Sequence, residues 1–188
     1  MIVDADTGFG GPLNVQRTVL ELELAGAAGI QLEDQQLPKR CGHLSGKTLV
    51  DVDEMCAKLQ AAVAVRQDSD LVIIARTDAR GVTDLEDAIH RAQRYLEAGA
   101  DWIFPEALET PDEFDRFARA VDAPLMANMT EFGRSPLLSL EDLAQLGYSA
   151  VLYPVTLMRV AMKAAEAALA AIAEDGTQAE LIDLMQTR

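Results

Sequence analysis

The chain alternates short apolar runs with amphipathic stretches, and this alternation constrains the fold more than any other feature of the sequence. Each apolar run ends in polar residues, which is typical of a buried parallel strand that leads into a helix. The predicted strands are Ile2–Asp6, Gly29–Asp34, Leu71–Asp78, Trp102–Glu106, Pro124–Thr130 and Ala150–Pro154. The predicted helices are Asn14–Ala27, Asp51–Arg66, Asp84–Ala98, Pro111–Ala120, Leu140–Leu146 and Val155–Ala173. The pattern predicts an α/β fold built from repeated βα units.

Polar residues gather at the carboxyl end of every predicted strand. A (β/α)8 TIM barrel carries its site on that face, whereas a doubly wound sheet places its site at one switch point. The strand-end residues are Asp4, Asp6, Glu33, Asp34, Arg76, Asp78, Glu106, Asn128, Thr130 and Tyr153. We therefore predict a TIM barrel in preference to a doubly wound sheet, with residues 1–188 forming a single partial barrel domain.

The number of predicted strands is smaller than a closed barrel needs. Six are predicted, whereas a barrel has eight in about 250 residues. The first strand begins at Ile2 with no helix before it, and the helical pattern of Gln178–Arg188 ends without a cap. We expect the chain to hold about six of eight βα units and to be inactive alone, with a natural truncation and an incomplete chain both left open.

The charge and composition of the chain limit the kinds of molecule that it is expected to bind. The net charge of −15, from 16 basic and 31 acidic residues, disfavours nucleic acid and anionic membrane surfaces. No apolar run approaches the roughly 20 residues of a membrane span. The two cysteines, Cys41 and Cys56, match neither a zinc pattern nor a disulfide framework. These features favour a cytoplasmic protein that acts on small molecules.

Three carboxylates at neighbouring strand ends form a candidate metal site. Asp4 and Asp6 lie two residues apart on a predicted strand, so their side chains should share one face, and Glu33 lies near the end of the next strand. Carboxylate oxygens are the ligands that hard divalent cations prefer. We predict a cation site here, with solvated strand ends or helix caps as the alternative.

The segment Lys39-Arg40-Cys41-Gly42-His43 places a thiol among two cations and an imidazole. Such neighbours favour the thiolate, so Cys41 could give or take a proton near neutral pH. An unreactive buried cysteine is the alternative, but this polar loop is a poor place to bury one. Cys56, on the apolar face of a predicted helix, should pack in the core, and His90 should lie on a helix surface.

Five motifs resemble the isocitrate lyase and phosphoenolpyruvate mutase superfamily in order and spacing. They are DADTGFG at 4–10, LEDQ at 32–35, PKRCGH at 38–43, ARTDA at 75–79 and FPEA at 104–107. The resemblance is strongest to the bacterial 2-methylisocitrate lyases, as NMTEFG at 128–133 and residues 176–188 also indicate, and it covers essentially the whole chain. Mutases of the superfamily lack the cysteine of the motif at 38–43.

The resemblance implies a chemistry and a set of site residues. It implies cleavage of 2-methylisocitrate to pyruvate and succinate, with Mg²⁺ or Mn²⁺ held by Asp6 directly and by Asp4 and Glu33 through water. Cys41 would protonate the departing dicarboxylate, and Arg76 and Glu106 would complete the catalytic group. The implied substrate-binding residues are Lys39, Arg40, Gly42, His43, Arg76, Glu106, Asn128, Thr130, Phe104, Leu152 and Pro154. Arg76 would bind a carboxylate, with a structural ion pair to Asp78 or Glu106 as the alternative.

Other readings stay open within the same resemblance. The loop continuation at 44–47 is less like a methylisocitrate lyase, so oxaloacetate decarboxylase, dimethylmalate lyase and carboxyphosphonoenolpyruvate phosphonomutase chemistry are alternatives, as is an inactive remnant. Superfamily lyases are usually homotetramers that exchange a C-terminal helix. The small-residue face of Val155–Ala173 could therefore pack on the barrel or contact a second subunit. The resemblance also implies a role in propionate catabolism.

Overall fold

The computed structural model describes residues 1–187 and contains six short strands in this range. The strands are β1 (Ile2–Asp4), β2 (Gly29–Glu33), β3 (Val72–Thr77), β4 (Trp102–Pro105), β5 (Met126–Asn128) and β6 (Ala150–Leu152). The α-helices are α1 (Pro12–Leu24), α2 (Val52–Val65), α3 (Leu85–Glu97), α4 (Pro111–Ala120), α5 (Leu140–Gln145) and α6 (Thr156–Asp175). Short 3₁₀ helices cover Ala79–Gly81 and Ala179–Leu184. Arg188, the last residue of the motif at 176–188, lies outside the described residues.

The strands are parallel and follow one another in chain order. One sheet has the order β1-β2-β3-β4, and β5 pairs with β6 in a second sheet. A single parallel bridge between Ile103 and Leu125 joins the two. A doubly wound sheet reverses its strand order at a switch point, and no reversal occurs within residues 1–187. The arrangement is that of a partial TIM barrel, as the sequence predicts.

Local signals in the sequence explain where the helices begin. Asp84 and Thr110 accept hydrogen bonds from the backbone N–H groups of Asp87 and Glu113, so each caps its helix. Ser139 and Asp142 form a reciprocal capping box at the start of α5. All five residues of β2 are buried, as expected for a parallel strand covered on both faces.

Apolar side chains form two groups on opposite faces of the strands. The larger group lies between the sheet and helices and includes Ile73, Tyr95 and Phe117. A small group on the inner face contains Ile74, Phe104 and Met126. Because side chains alternate along a strand, the residues two positions further on lie on that same inner face. Those residues are Arg76, Glu106 and Asn128, so a polar layer covers the apolar one.

The observed strands end earlier than the sequence indicates. This corrects the prediction that strand alternation places Asp4 and Asp6 on one face. Asp6 is not a strand residue, because β1 ends at Asp4 and Asp6 has a φ of 50° in the turn that follows. The backbone N–H of Asp6 donates to Asp4 Oδ1 at 2.9 Å, which closes this turn. Strand alternation therefore does not place the two carboxylates together; a side-chain-capped turn does so instead.

The chain divides into two compact units, Met1–Leu152 and Tyr153–Arg188. Tyr153 and Pro154, predicted as strand residues, belong to the second unit and lie beyond the end of β6. Within that unit, α6 ends at Asp175 and is followed by Gly176, whose φ of 69° suits glycine at a helix C-terminus. None of the helices in residues 1–187 has the length and apolarity to cross a membrane. The single-domain organisation stays a prediction.

Candidate active site

The three predicted metal ligands meet at the carboxyl ends of β1 and β2. One oxygen from each of Asp4, Asp6 and Glu33 lies within 4.8 Å of the other two. The N–H of Glu33 donates to the carbonyl of Asp6 at 2.8 Å, which holds the turn after β1 against β2. Gln31, one layer below Glu33, donates from Nε2 to Asp4 Oδ1 at 3.1 Å. The backbone and one amide thus fix the spacing of the acidic cluster.

Glu33 is a buried carboxylate with no hydrogen-bond partner for either oxygen among the described residues. Burial raises its pKa to about 7, although Arg76 and Lys39 act in the opposite direction. Lys39 Nζ lies 2.5 Å from Asp6 Oδ1 and 3.7 Å from Glu33 Oε2, so one ammonium partly balances the cluster. Orphaned oxygens and an all-carboxylate donor set fit a hard divalent cation.

Arg76 lies on the inner face with its guanidinium engaged by Asp78. Arg76 Nε and Nη2 donate to the two oxygens of Asp78 at 2.9 and 3.2 Å, and the guanidinium lies 5.2 Å from the centre of the Phe104 ring. Glu33 and Glu106 are further away, at 3.6 and 3.7 Å. The structure therefore shows the ion pair with Asp78 that the sequence left as the alternative. Binding of a substrate carboxylate by Arg76 stays a prediction.

Glu106, His43 and Asn128 form a connected polar group beside Arg76. His43 Nε2 lies 3.1 Å from Glu106 Oε1, and Asn128 Nδ2 donates to Glu106 Oε2 at 3.1 Å. The N–H of Arg134 donates to His43 Nδ1 at 3.0 Å, so Nε2 carries the proton that faces Glu106. Burial opposes ionisation of Glu106, but Arg76 and His43 outweigh it and hold the pKa of Glu106 below its usual range.

The loop that carries Cys41 is anchored at several points. The side-chain amide of Gln35 accepts from Arg40 N and donates to Arg40 O, each at 2.9 Å. Gly42 is buried directly against Glu106 and Arg76, and an added Cβ would collide with both side chains. Cys41 itself is exposed at this face, whereas Cys56 is buried, as predicted. The loop thus holds the thiol at the surface while its neighbour Gly42 touches the polar layer.

Asp34 is a strand-end residue that faces the helices instead of the site. Its carboxylate accepts from Thr77 Oγ1 and Tyr95 OH, both at 2.8 Å, and from the N–H of Asp78 at 2.9 Å. Arg91 Nη1 lies 3.4 Å from the same carboxylate. Asp34 therefore fixes the backbone of Asp78 from the helix side of the sheet. This buried network explains why a polar residue occupies position 34.

The other residues expected at the site differ in their surroundings. Thr130 Oγ1 donates to the neighbouring carbonyl of Glu131 at 3.4 Å, and Arg40 Nη1 to Ser45 O at 3.5 Å. Leu152 is 39% exposed at the end of β6, whereas Phe104 is buried beneath Arg76. Pro154 lies in the second unit. Their substrate-binding roles stay predictions.

Sequence reasoning did not assign roles to three residues that shape this face. Gln31 is detectable as a polar residue in the middle of an apolar strand, and Gln35 follows the strand end directly. Lys47 has no such signal, yet its side chain is almost completely buried and its Nζ lies 2.8 Å from Asp78 Oδ1. His90 is exposed, as predicted.

The fold and the site define a barrel-type α/β protein with an acidic, cation-compatible centre at its strand ends. A family model described as phosphoenolpyruvate phosphomutase matches residues 1–173, so the chain belongs to this family, as the motifs predict. It is 55% identical over 188 residues to "2-methylisocitrate lyase" of Aeropyrum pernix, covering 100% of this chain and 60% of that protein.

Two solved structures show the same fold. The oxaloacetate acetylhydrolase complex with 3,3-difluorooxalacetate has a TM-score of 0.89 at 38% identity. A 2,3-dimethylmalate lyase, described as a member of the PEP mutase/isocitrate lyase superfamily, has a TM-score of 0.89 at 36% identity. Each match covers 94% of this chain and 60% of the other chain. The chain thus spans about 60% of the length of the proteins that it resembles.

Proposed function

We propose that the full-length protein is a Mg²⁺-dependent carbon–carbon lyase that cleaves 2-methylisocitrate to pyruvate and succinate. The observation that carries the proposal is the meeting of Asp4, Asp6 and Glu33 with the Cys41 loop at one set of strand ends. The 55% identity to a 2-methylisocitrate lyase supports this choice of substrate. The chemistry needs stabilisation of an oxyanion and a proton donor for the leaving carbon, and both are available here.

Asp6, Asp4 and Glu33 would hold Mg²⁺ or Mn²⁺, and the bound cation would stabilise the oxyanion of the 2-hydroxy acid end. The remaining roles belong to side chains of the protein. A solvent base takes the proton of the substrate hydroxyl, whose oxygen becomes the ketone oxygen of pyruvate. The carbon–carbon bond then breaks, and its electron pair moves to the succinate fragment. Cys41 gives its thiol proton to that carbon. Glu106 stays ionised beside His43 and, with Asn128, orients polar groups of the substrate.

Positive charge on the Cys41 loop supports binding of a substrate with several carboxylates. Lys39 and Arg40 precede the thiol, and Lys39 is within ion-pair distance of the acidic cluster. Gly42, His43 and Thr130 would line the substrate on the loop side. We place the activity in the cytoplasm, in propionate catabolism, with a homotetramer as the working assembly and residues 1–188 as a single partial barrel domain.

A substrate panel tests the proposal on the full-length protein. The panel contains 2-methylisocitrate, isocitrate, 2,3-dimethylmalate and oxaloacetate, with Mg²⁺ present, and kcat/KM is measured for each. Turnover should be fastest on 2-methylisocitrate. Cys41→Ser should lower kcat by about 10²- to 10⁴-fold, which is the usual effect of one acid–base group. The buried Cys56→Ser is the matched control and should retain most of the activity.

A second candidate is cleavage of a smaller 2-hydroxy or 2-oxo dicarboxylate. It is favoured by the similarity to the solved oxaloacetate acetylhydrolase and 2,3-dimethylmalate lyase structures. Fastest turnover on oxaloacetate or dimethylmalate in the same panel would select this candidate. Near-normal kcat of Cys41→Ser on 2-methylisocitrate would also count against the first proposal.

A further inference from the structure

Lys47 is a buried lysine that the proposed chemistry does not use. Its side chain is 1% exposed, although lysine is almost never fully buried unless it is paired. Its Nζ donates to Asp78 Oδ1 at 2.8 Å and also to the carbonyl oxygen of Gly42. The burial of this ammonium is therefore compensated by one carboxylate and one carbonyl.

The two partners of Lys47 belong to different parts of the fold. Gly42 lies between Cys41 and His43 on the loop, whereas Asp78 follows the end of β3. Asp78 is itself fixed, because it accepts two hydrogen bonds from Arg76 and its N–H donates to Asp34 at 2.9 Å. A chain of contacts thus runs from the sheet through Lys47 to the backbone beside the thiol.

The ammonium of Lys47 is enclosed by protein. A Cβ built on Gly81 would lie 2.8 Å from Lys47 Nζ and 3.7 Å from the carbonyl oxygen of Gly42. The backbone at Gly81 therefore packs closely against the ammonium, in addition to its two acceptors. This enclosure argues for a structural link to the loop and against direct contact with substrate.

We propose that Lys47 is a positioning residue that latches the loop to the end of β3 and thereby sets the place of the Cys41 thiol. The inference rests on the proposed function of Cys41. The fixed point is the Gly42 carbonyl, one residue beyond the thiol, so loss of the latch should displace Cys41 and leave the acidic cluster in place.

A double-mutant cycle tests the link to Cys41 in the full-length protein. Lys47→Met removes the ammonium with little change in volume, and kcat should fall by about 10- to 100-fold because a displacement near 1 Å has effects of this size. In the Cys41→Ser background the same change should have little further effect on kcat. Equal losses in both backgrounds would overturn the proposal, since a general structural defect acts regardless of the thiol.

Hydrogen exchange of the loop gives a readout that does not depend on turnover. The Leu44 N–H donates to Cys41 O at 2.9 Å and reports on the loop directly. Lys47→Met should speed exchange in residues 39–47 by about 10-fold or more, as expected for loss of a charge-assisted hydrogen bond. Faster exchange in a protein that cleaves no substrate of the panel would support the latch and refute the proposed function separately.

Two further variants control for charge and for burial. Gly81→Ala should push Lys47 Nζ aside while the positive charge stays, so it should reproduce a smaller part of both effects. Lys58→Met removes another nearly buried lysine, which pairs with Glu54 on α2 at 3.4 Å, and should leave loop exchange and kcat unchanged. Wild-type exchange and kcat in both Lys47→Met and Gly81→Ala would overturn the latch.

Discussion

Glu33 is a carboxylate whose pKa is held near 7 by burial, and this gives stability a defined pH dependence. A raised pKa means that the folded state keeps the proton after the unfolded state has lost it. The contribution of Glu33 to stability is therefore fully present below about pH 4.5 and falls by about 3 kcal/mol as pH rises through about 7.

Thermal unfolding measured without divalent cations should show this loss between pH 4.5 and 7 in the wild type. Glu33→Gln should remove most of it, whereas Glu97→Gln, a change at an exposed acid, should not. Added Mg²⁺ should stabilise the wild type more at pH 7.5 than at pH 5, because the cation favours the ionised form. A wild-type slope that Glu33→Gln leaves unchanged would mean that another group titrates.

The backbone conformation of Asp6 decides which substitution at this position is informative. Alanine is strained at a φ of 50°, whereas asparagine tolerates this region well. Asp6→Asn should lower Mg²⁺ affinity by at least about 10-fold and lower turnover through loss of the metal. Isothermal titration of Asp6→Asn against the exposed Asp70→Asn measures this. Equal affinities in the two variants would remove Asp6 from the site.

The hydrogen-bond network around Asp34 joins β2, β3 and α3, so its loss should weaken the packing of these three elements. Tyr95→Phe removes a 2.8 Å hydrogen bond to a buried carboxylate and should lower the free energy of unfolding by about 1.5–3 kcal/mol. Tyr148→Phe is the matched control, because that buried hydroxyl makes a longer 3.4 Å contact to Phe114 O. Chemical denaturation of both variants measures the difference. Similar losses in the two would show that the network contributes no special stability.

The elements that could be predicted from sequence are those that depend on neighbouring residues. Apolar runs and polar strand ends predicted the βα order, and capping residues such as Thr110, which act over three residues, explain where helices begin. The turn that places Asp6 was missed because a side-chain hydrogen bond ends β1 early. The Lys47–Asp78 pair joins residues 31 positions apart, and no local pattern encodes such a contact. The roles of Asp34 and Lys47 therefore required the fold.

Substrate choice is a property of the whole molecule, because the site takes side chains from successive strands. We expect the full-length protein to prefer 2-methylisocitrate over isocitrate by about 10- to 200-fold in kcat/KM, the usual discrimination for one buried methyl group. Leu152 has exposed apolar surface at the end of β6, whereas Phe104 is packed beneath Arg76.

Steady-state kinetics with both substrates checks this preference. Leu152→Ala should reduce it, while Leu137→Ala, a change at another exposed leucine, should leave it unaltered. Equal efficiency of the wild type on the two substrates would remove the argument for a methyl-binding pocket at this face.

Two adjacent polar residues at the end of β2 have side chains on opposite faces of the sheet, and this arrangement favours the native register of the strands. Glu33 faces the inner polar layer, whereas Asp34 faces Tyr95 and Arg91 on the helix side. A slip of β2 by one position would exchange the two faces. Asp34 would then leave its donors, and Arg91 would lose one of its two carboxylate partners and keep only Asp87, at 3.1 Å. Buried polar groups would be left unpaired, which is destabilising. The polar residues of the site thus also discriminate the native pairing from shifted alternatives while the sheet assembles.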